Sequence, residues 1–289
     1  MMPTLQGAIT RGATLHLRLL QSICRRRSLP LIYWRIIHKI VGVVRREDPL
    51  FPTEPPVARG ARLRSRELAE LLHDDVLGDW SLDAMTIDLL WDELLRVRPR
   101  AIIECGSGVS TLVFAKYAQL FAGSEPVAVL SIEQNASYKD KVEHRLKETK
   151  INRYAQILYA PLTDQYAYAI DPTELSGRLG EAKADLVLID GPSGPPGCRV
   201  RTLPVLAPSC RVGTTWLLDD AFRDGELGAL ANWSRCGGVR VNGIYPTGKG
   251  LARGVIRDVQ ALSLQAVTEL SGQRAEVDRF RRQNPARLA

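Results

Sequence analysis

The sequence predicts an α/β fold: a doubly wound, mostly parallel seven-stranded sheet that ends in an antiparallel hairpin and follows a basic N-terminal helical extension. Two observations indicate this fold. Short apolar runs alternate with helical patterns between residues 81 and 218, as in a parallel sheet with helices on both faces. The last two apolar runs, 239–245 and 251–256, are joined by Pro-Thr-Gly-Lys-Gly, which is too short for a parallel crossover.

The individual elements follow from the apolar patterns. A helix is predicted over 81–95, with Ser81 as its N-terminal cap and apolar residues at helical spacing. Further helices are predicted over 109–121 and 138–149. The five predicted parallel strands cover residues 101–104, 127–132, 155–159, 185–189 and 215–218.

Four segments are predicted along the chain. A basic and apolar arm covers 1–47, a proline-rich linker 48–60, the folded domain 61–260 and a helical tail 261–289. The linker is predicted because four prolines between Asp48 and Pro56 prevent a helix from continuing through it. The length of 289 residues suits one large α/β domain with an extension.

The net charge of +7 lies in the N-terminal part of the chain. Residues 1–70 hold 13 Lys/Arg and 5 Asp/Glu, so the remaining residues sum to −1. A nucleic-acid-binding protein would carry basic residues on its folded body as well, so no nucleic-acid partner is expected. The apolar run 29–44 is shorter than the ~20 residues of a membrane span. It predicts either an amphipathic helix on an anionic membrane surface or a helix packed on the body or on a second subunit of a homodimer.

The cysteines indicate a reducing compartment. The chain has five cysteines, an odd number, and no Cys-x-x-Cys pair. This pattern argues against a disulfide framework and against a zinc cluster. A cytoplasmic location is therefore expected, with peripheral membrane contact through the arm as an open alternative.

A glycine loop is the central motif. The first strand runs into Glu104-Cys-Gly106-Ser-Gly108, and a helix follows. Glycines let a backbone turn sharply and approach a ligand closely, and this loop lies at the carboxyl end of the strand, where doubly wound sheets bind ligands. A dinucleotide fingerprint would have a third glycine where this chain has Thr111, so pyrophosphate binding is disfavoured. A tight strand-to-helix turn without a ligand is the alternative.

An acidic residue after the second strand supports a nucleoside ligand. Glu133 lies 25 residues after Gly108, at the end of the next strand. A carboxylate in that place can accept hydrogen bonds from both ribose hydroxyls. A solvated carboxylate at a strand end is the alternative.

Together these residues resemble a known family. The segments Ile103-Glu104-Cys-Gly-Ser-Gly108, Ile132-Glu133, Leu188-Ile189-Asp190-Gly191 and Leu218-Asp219-Asp220 are similar to class I S-adenosylmethionine-dependent methyltransferases, in their small-molecule O-methyltransferase-like branch. The resemblance covers about 80–257. It implies that Glu104 and the loop to Gly108 hold the methionine part of the cofactor and that Glu133 holds the ribose. The candidate cofactor-binding residues are Glu104, Gly106, Ser107, Gly108, Ser110, Glu133, Gln134 and Asp190.

The segment after the third strand departs from the family pattern. Relatives often carry a polar residue there to hold adenine, whereas this chain has Ala160-Pro161-Leu162, so no side chain is assigned to adenine.

Three carboxylates form a candidate metal site. Asp190 ends the fourth strand, and Asp219 and Asp220 end the fifth, so they are expected to converge. Gathered carboxylates repel one another unless a cation or proton joins them, and Mg²⁺ and Ca²⁺ prefer oxygen ligands. The resemblance to metal-dependent O-methyltransferases points the same way, although this chain has Pro192-Ser-Gly194 where those families carry a lysine. In the alternative, Asp190 contacts cofactor or substrate, and Asp219 or Asp220 caps the next helix.

The resulting hypothesis is methyl transfer from S-adenosylmethionine to an oxygen of a small-molecule, sugar or lipid-linked acceptor, with Asp190 and Asp219 as candidate catalytic residues. The site would align the reacting groups and lower the acceptor's proton affinity. An NAD-dependent oxidoreductase of Rossmann type and a non-catalytic cofactor-binding scaffold are the alternatives. The sequence does not identify the acceptor.

Overall fold

The computed structural model describes residues 63–268, apart from positions 76, 79, 80, 122, 124, 125 and 181. The predictions for the arm 1–47 and the linker 48–60, and most of the tail 261–289, lie outside these residues. The described part of the chain contains no helix that is both long and apolar enough to pass through a membrane.

One seven-stranded sheet organises the described residues, in the order β3-β2-β1-β4-β5-β7-β6. The strands β1 to β5 pair in parallel, whereas β7 is antiparallel to both β5 and β6. The seven strands are β1 Ala101–Cys105, β2 Ala128–Glu133, β3 Gln156–Tyr159, β4 Ala184–Ile189, β5 Cys210–Leu218, β6 Val239–Tyr245 and β7 Leu251–Ile256. The predicted fold class, including the terminal antiparallel hairpin, is confirmed.

The register of the central strands brings the predicted site residues to one edge. Cys105 at the end of β1 pairs with Ile132 of β2 and with Ile189 of β4, and Ile189 pairs with Leu218 of β5. The segments that follow these strands therefore leave the sheet side by side. They begin at Gly106, Gln134, Asp190 and Asp219, and Glu133 is the last residue of β2.

Helices and apolar side chains cover both faces of the sheet. The described helices are α1 Arg66–Leu71, α2 Ala84–Val97, α3 Val109–Phe121, α4 Ala136–Glu148, α5 Pro172–Arg178, α6 Thr202–Leu206, α7 Asp224–Arg235 and α8 Leu264–Thr268. One core cluster includes Ile87 and Phe114 from α2 and α3, and the other includes Trp216 of β5 and Trp233 of α7. Burial on both faces explains why the strands are apolar throughout rather than alternating.

Two predicted boundaries were wrong. The helix α2 begins at Ala84, because Asp83 accepts a hydrogen bond from the Thr86 backbone N–H and acts as its cap. Ser81 instead donates to the Gly78 carbonyl oxygen. The strand β5 begins at Cys210, five residues earlier than expected, since the polar and glycine-containing stretch 211–214 hid its start in the sequence.

Candidate functional site

The glycine loop Gly106-Ser107-Gly108 satisfies its own backbone donors. The Gly106 N–H donates to the Ile132 carbonyl oxygen at 2.9 Å, and the Gly108 N–H donates to Thr111 Oγ1 at 2.9 Å. The Ser107 N–H donates to Glu133 Oε2, also at 2.9 Å. In dinucleotide-binding folds, such N–H groups point at the pyrophosphate. Here all three are used within the protein.

The two glycines of this loop have different structural roles. Gly106 has φ +89°, and an added Cβ would lie 3.1 Å from both the Asp190 carbonyl carbon and the Gly191 nitrogen. Gly106 is therefore required by its positive φ and by the contact between two loops, and its predicted role in binding cofactor stays a prediction. Among the described residues, an added Cβ at Gly108 would meet only the Tyr138 hydroxyl within 4 Å, at 3.7 Å, so these residues leave open space beside Gly108.

Glu133 holds the loop from the end of β2. Its Oε2 accepts hydrogen bonds from the backbone and the hydroxyl of Ser107, and its Oε1 accepts one from the Asn135 N–H at 2.9 Å. An ionised carboxylate can accept about four hydrogen bonds. Oε1 of Glu133 can therefore accept one more hydrogen bond, from a ligand hydroxyl. The other acceptor positions of the carboxylate are largely used by the hydrogen bonds from Ser107 and Asn135.

Glu104 lies behind the loop and is fully buried. Its Oε2 accepts a hydrogen bond from Thr111 Oγ1 at 2.5 Å, and its Oε1 makes none within the described residues. Burial raises the pKa of Glu104 to about 7, and hydrogen bonds from Ser110 and Thr111 oppose this rise. Ser110 is itself buried at the start of α3, on the side of Glu104.

Gln134 is bonded to the loop that follows β4. Its Oε1 accepts from the Ser193 N–H at 2.7 Å, and its Nε2 donates to the Ser193 carbonyl oxygen at 3.0 Å. The strands β2 and β4 lie on either side of β1. The pair therefore links the two segments that flank the glycine loop, and the predicted role of Gln134 in binding cofactor stays a prediction.

The three aspartates lie together, as their strand positions indicated. Asp190, Asp219 and Asp220 each offer a carboxylate oxygen, and these oxygens lie within 4.8 Å of one another. Asp190 and Asp219 are half-buried, and Asp220 is buried. Burial raises the pKa of Asp190 to about 6 and that of Asp219 well above its ordinary value, and mutual repulsion adds to both shifts.

Arg199 lies among these acids, although no sequence pattern marks it. Its Nη2 donates to the Asp190 carbonyl oxygen at 2.6 Å and to Asp190 Oδ1 at 3.1 Å, and lies 3.3 Å from Asp220 Oδ2. Its Nη1 donates to the Asp219 carbonyl oxygen at 3.0 Å. Only the folded chain places this arginine, nine positions after Asp190, at the ends of both β4 and β5.

Asp220 does not cap a helix. Its Oδ2 pairs with Arg223 Nη1 at 2.7 Å, and its Oδ1 lies 3.7 Å from Lys249 Nζ. The residue that precedes α7 is Arg223, which makes no side-chain cap. The alternative in which Asp220 caps the next helix is therefore wrong.

The terminal hairpin completes this part of the site. The Ala221 and Phe222 N–H groups donate to the carbonyl oxygens of Gly250 and Lys249, at 2.9 and 3.0 Å. Thr247 in the same hairpin loop is hydrogen-bonded to Thr86 of α2, with 3.1 Å between the hydroxyl oxygens. The loop after β5 is thus hydrogen-bonded to the hairpin loop that precedes β7.

Similar solved structures are methyltransferases, while no protein-family model and no curated protein matches this chain. An O-methyltransferase from Bacillus cereus in complex with S-adenosylhomocysteine is 13% identical, with 78% of this chain and 100% of that one covered and a TM-score of 0.48. An O-methyltransferase from Streptomyces achromogenes involved in tomaymycin synthesis, in complex with S-adenosylmethionine, is 16% identical, with 66% and 88% covered and a TM-score of 0.46. A methyltransferase from Podospora anserina bound to S-adenosylhomocysteine is 14% identical, with 67% and 89% covered and a TM-score of 0.46.

The strand order of this chain identifies its fold. Five parallel strands are followed by a hairpin whose last strand, β7, inserts antiparallel between β5 and β6. The chain has the Rossmann-like methyltransferase fold, with the strand order 3-2-1-4-5-7-6. The resemblance stated from the sequence is confirmed at the level of the fold.

The buried carboxyl of Glu104 generates a pH-dependent prediction. The folded protein holds a proton on Glu104 up to about pH 7, whereas the ordinary pKa is 4.5. Between these values the native state binds more protons than the unfolded state, so the free energy of unfolding falls as pH rises, by about 3 kcal/mol in total. Glu104→Gln should remove this fall, as measured by urea unfolding of the cofactor-free protein from pH 5 to pH 8.

The control for this measurement is Glu70→Gln, because the Glu70 side chain is 65% exposed on α1. It should keep the wild-type dependence on pH. Parallel curves for the wild type and Glu104→Gln would show that Glu104 is already ionised in the folded protein at low pH.

Proposed function

We propose that this protein is an S-adenosylmethionine-dependent methyltransferase that methylates an oxygen of a small-molecule, sugar or lipid-linked acceptor. The observation that carries the proposal is the glycine loop, whose three N–H groups are all used internally and whose surroundings are acidic. Such a loop suits a cationic ligand and is unsuited to a phosphate.

The acidic surroundings converge on one point beside the loop. Burial raises the pKa of the Tyr138 hydroxyl, and the charges of Glu133, Asp190 and Glu104 add to this rise. The Tyr138 hydroxyl is also the atom that an added Cβ at Gly108 would meet. S-adenosylmethionine has a net positive charge, because its sulfonium and its ammonium outweigh its single carboxylate, whereas the pyrophosphate of NAD is anionic. The charge around the loop therefore favours the methyl donor over the oxidoreductase alternative.

The residues present fit this cofactor. The open space beside Gly108 admits a ligand, the Oε1 of Glu133 can accept from a ribose hydroxyl, and the buried Oε1 of Glu104 is a hydrogen-bond acceptor without a donor among the described residues. When bound, the cofactor supplies an activated methyl group. The chain's own part is to orient the acceptor oxygen and to take its proton.

We assign Asp219 as the base that accepts the proton of the acceptor's hydroxyl. Arg199 donates to the carboxylate of Asp190 and pairs with that of Asp220, but it contacts Asp219 through the carbonyl oxygen. The carboxylate of Asp219 is half-buried beside these two. Asp190 would then fix the position of the acceptor while Asp219 receives its proton.

The expected magnesium or calcium site stays a prediction. The three aspartates are close enough to share a cation, but Arg199 already lies between two of them. An ion that bridges Asp190 and Asp220 would therefore compete with this guanidinium for the same place.

The arm remains a candidate for membrane or partner contact. Residues 1–70 carry a net charge of +8, and the apolar run 29–44 lies within them. Cations next to an apolar helix face attract anionic lipid. We propose that the arm brings a cytoplasmic enzyme to such a surface, with packing against the body or against a second subunit as the other outcome of the test.

Cofactor identity is tested by calorimetry with S-adenosylmethionine, S-adenosylhomocysteine and NAD. The first two should bind and NAD should not. Gly108→Ala should weaken S-adenosylhomocysteine binding about tenfold, equivalent to ~1.4 kcal/mol, because its Cβ enters the open space. Gly228→Ala in α7 is the matched control, since its Cβ would meet none of the described residues within 4 Å. NAD binding without any heat from S-adenosylhomocysteine would refute the proposal.

Turnover is tested on an acceptor found by screening with radiolabelled cofactor. Asp219→Asn should lower kcat by a factor of about 10² to 10⁴, the usual contribution of a positioned base. Affinity for S-adenosylhomocysteine should change by no more than a few-fold. Asp140→Asn, with a 75% exposed carboxylate on α4, is the control. Full activity of Asp219→Asn would remove Asp219 from the mechanism, and cofactor binding without transfer to any acceptor would favour a scaffold.

Membrane contact is tested by sedimentation with anionic vesicles. The full chain should sediment with phosphatidylserine vesicles, and raising the salt concentration should release it because charge attraction is screened. A truncated chain that starts at Phe51 should stay in solution. Equal sedimentation of both chains would exclude the arm, and a change in oligomeric state on truncation would favour the second-subunit alternative.

A further inference from the structure

We infer that Arg199 is a positioning residue, a built-in cation that holds the acidic ends of β4 and β5 in place and occupies the position expected for a divalent metal. This inference concerns the site of the proposed methyl transfer and refines it. The test measures cation binding and thermal unfolding, not cofactor binding. The inference about Arg199 can therefore fail while the proposed cofactor binding is confirmed, and the proposed cofactor binding can fail while the inference is confirmed.

The contacts of Arg199 join two neighbouring strand ends. It donates to the carbonyl oxygens of Asp190 and Asp219, the first residues after β4 and β5. It also donates to the Asp190 carboxylate and pairs with that of Asp220. The planar guanidinium has donors in a fixed fork, which can fix several acceptors at once in a way that a lysine cannot.

The negative charges of the acids around Arg199 need a positive counter-charge. Asp220 and Glu226 are buried and Asp190 is half-buried, and the Nε of Arg199 lies 3.9 Å from Glu226 Oε1. Carboxylates that leave water without a counter-charge are strongly destabilising. An arginine guanidinium stays protonated in proteins. Arg199 therefore supplies this counter-charge, and its own side chain is only 6% exposed.

The Nη2 atom of Arg199 occupies the place where a metal bound by Asp190 and Asp220 would lie. This nitrogen lies 3.1 Å from Asp190 Oδ1 and 3.3 Å from Asp220 Oδ2, between two of the three expected metal ligands. A divalent ion must approach carboxylate oxygens to about 2.0–2.6 Å. An ion bridging this pair would lie against a guanidinium of the same sign, so the arginine and the metal compete for one place.

The test titrates Mg²⁺ and Ca²⁺ into the wild type, Arg199→Lys and Arg199→Met, by calorimetry and thermal unfolding. The wild type should bind neither ion at millimolar concentration, and EDTA should leave its Tm unchanged. Arg199→Met should lower the Tm by roughly 10 °C, since a broken buried pair leaves charges uncompensated. Added Mg²⁺ or Ca²⁺ should restore part of this loss, because the vacated place lies between carboxylates. A purely structural role for Arg199 would not give this recovery.

Two further variants keep the inference testable if Arg199→Met does not fold. Arg199→Lys keeps one charge but not the fork, so its Tm should fall by less and should not respond to Mg²⁺. Arg211→Lys is the matched control, since Arg211 is 63% exposed and pairs with Asp185 near the opposite end of β4. Wild-type binding of Mg²⁺ that Asp190→Asn abolishes would overturn the inference. A Tm of Arg199→Lys equal to that of the wild type would overturn it as well.

Discussion

The site depends on a backbone contact that only glycines permit. A Cβ at Gly106 would lie 3.1 Å from the Gly191 nitrogen, and a Cβ at Gly191 would lie 2.9 Å from the Gly106 nitrogen and 2.2 Å from the Tyr168 hydroxyl. The loops after β1 and β4 therefore touch through their main chains. This contact brings the glycine loop next to Asp190, and through Asp190 next to Arg199. Removing it would separate the glycine loop from the acidic cluster.

Charge, more than shape, distinguishes this site from other doubly wound proteins. A glycine loop after the first strand is common to folds that bind dinucleotides and to folds that bind S-adenosylmethionine. In this chain Glu133 and Thr111 accept the hydrogen bonds that a pyrophosphate would otherwise receive. In the proposed function, the same side chains that build the loop also disfavour anionic ligands.

The fold could be predicted from the sequence because its signals are local. Buried strands appear as short apolar runs, and a five-residue connection permits only an antiparallel hairpin. The convergence of Asp190 with Asp219 followed from their places after adjacent strands. Arg199 could not be predicted, because its partners come from three separate segments and one arginine near a strand end has no distinctive spacing. The reason for Gly106 was also missed, since a positive φ and a neighbouring main chain are properties of the folded state.

The insertion of β7 between β5 and β6 has a consequence for synthesis on the ribosome. The edge of β5 is paired by β7, which is the last of the seven strands to emerge. The loop that carries Asp219 and Asp220 is fastened by Gly250 and Lys249, just before that strand. A nascent chain therefore contains Asp190, Asp219 and Asp220 before Lys249 and Gly250 are available to hold the loop that carries Asp219 and Asp220. Until translation passes Ile256, β5 has an open edge, which in other proteins is a template for intermolecular pairing.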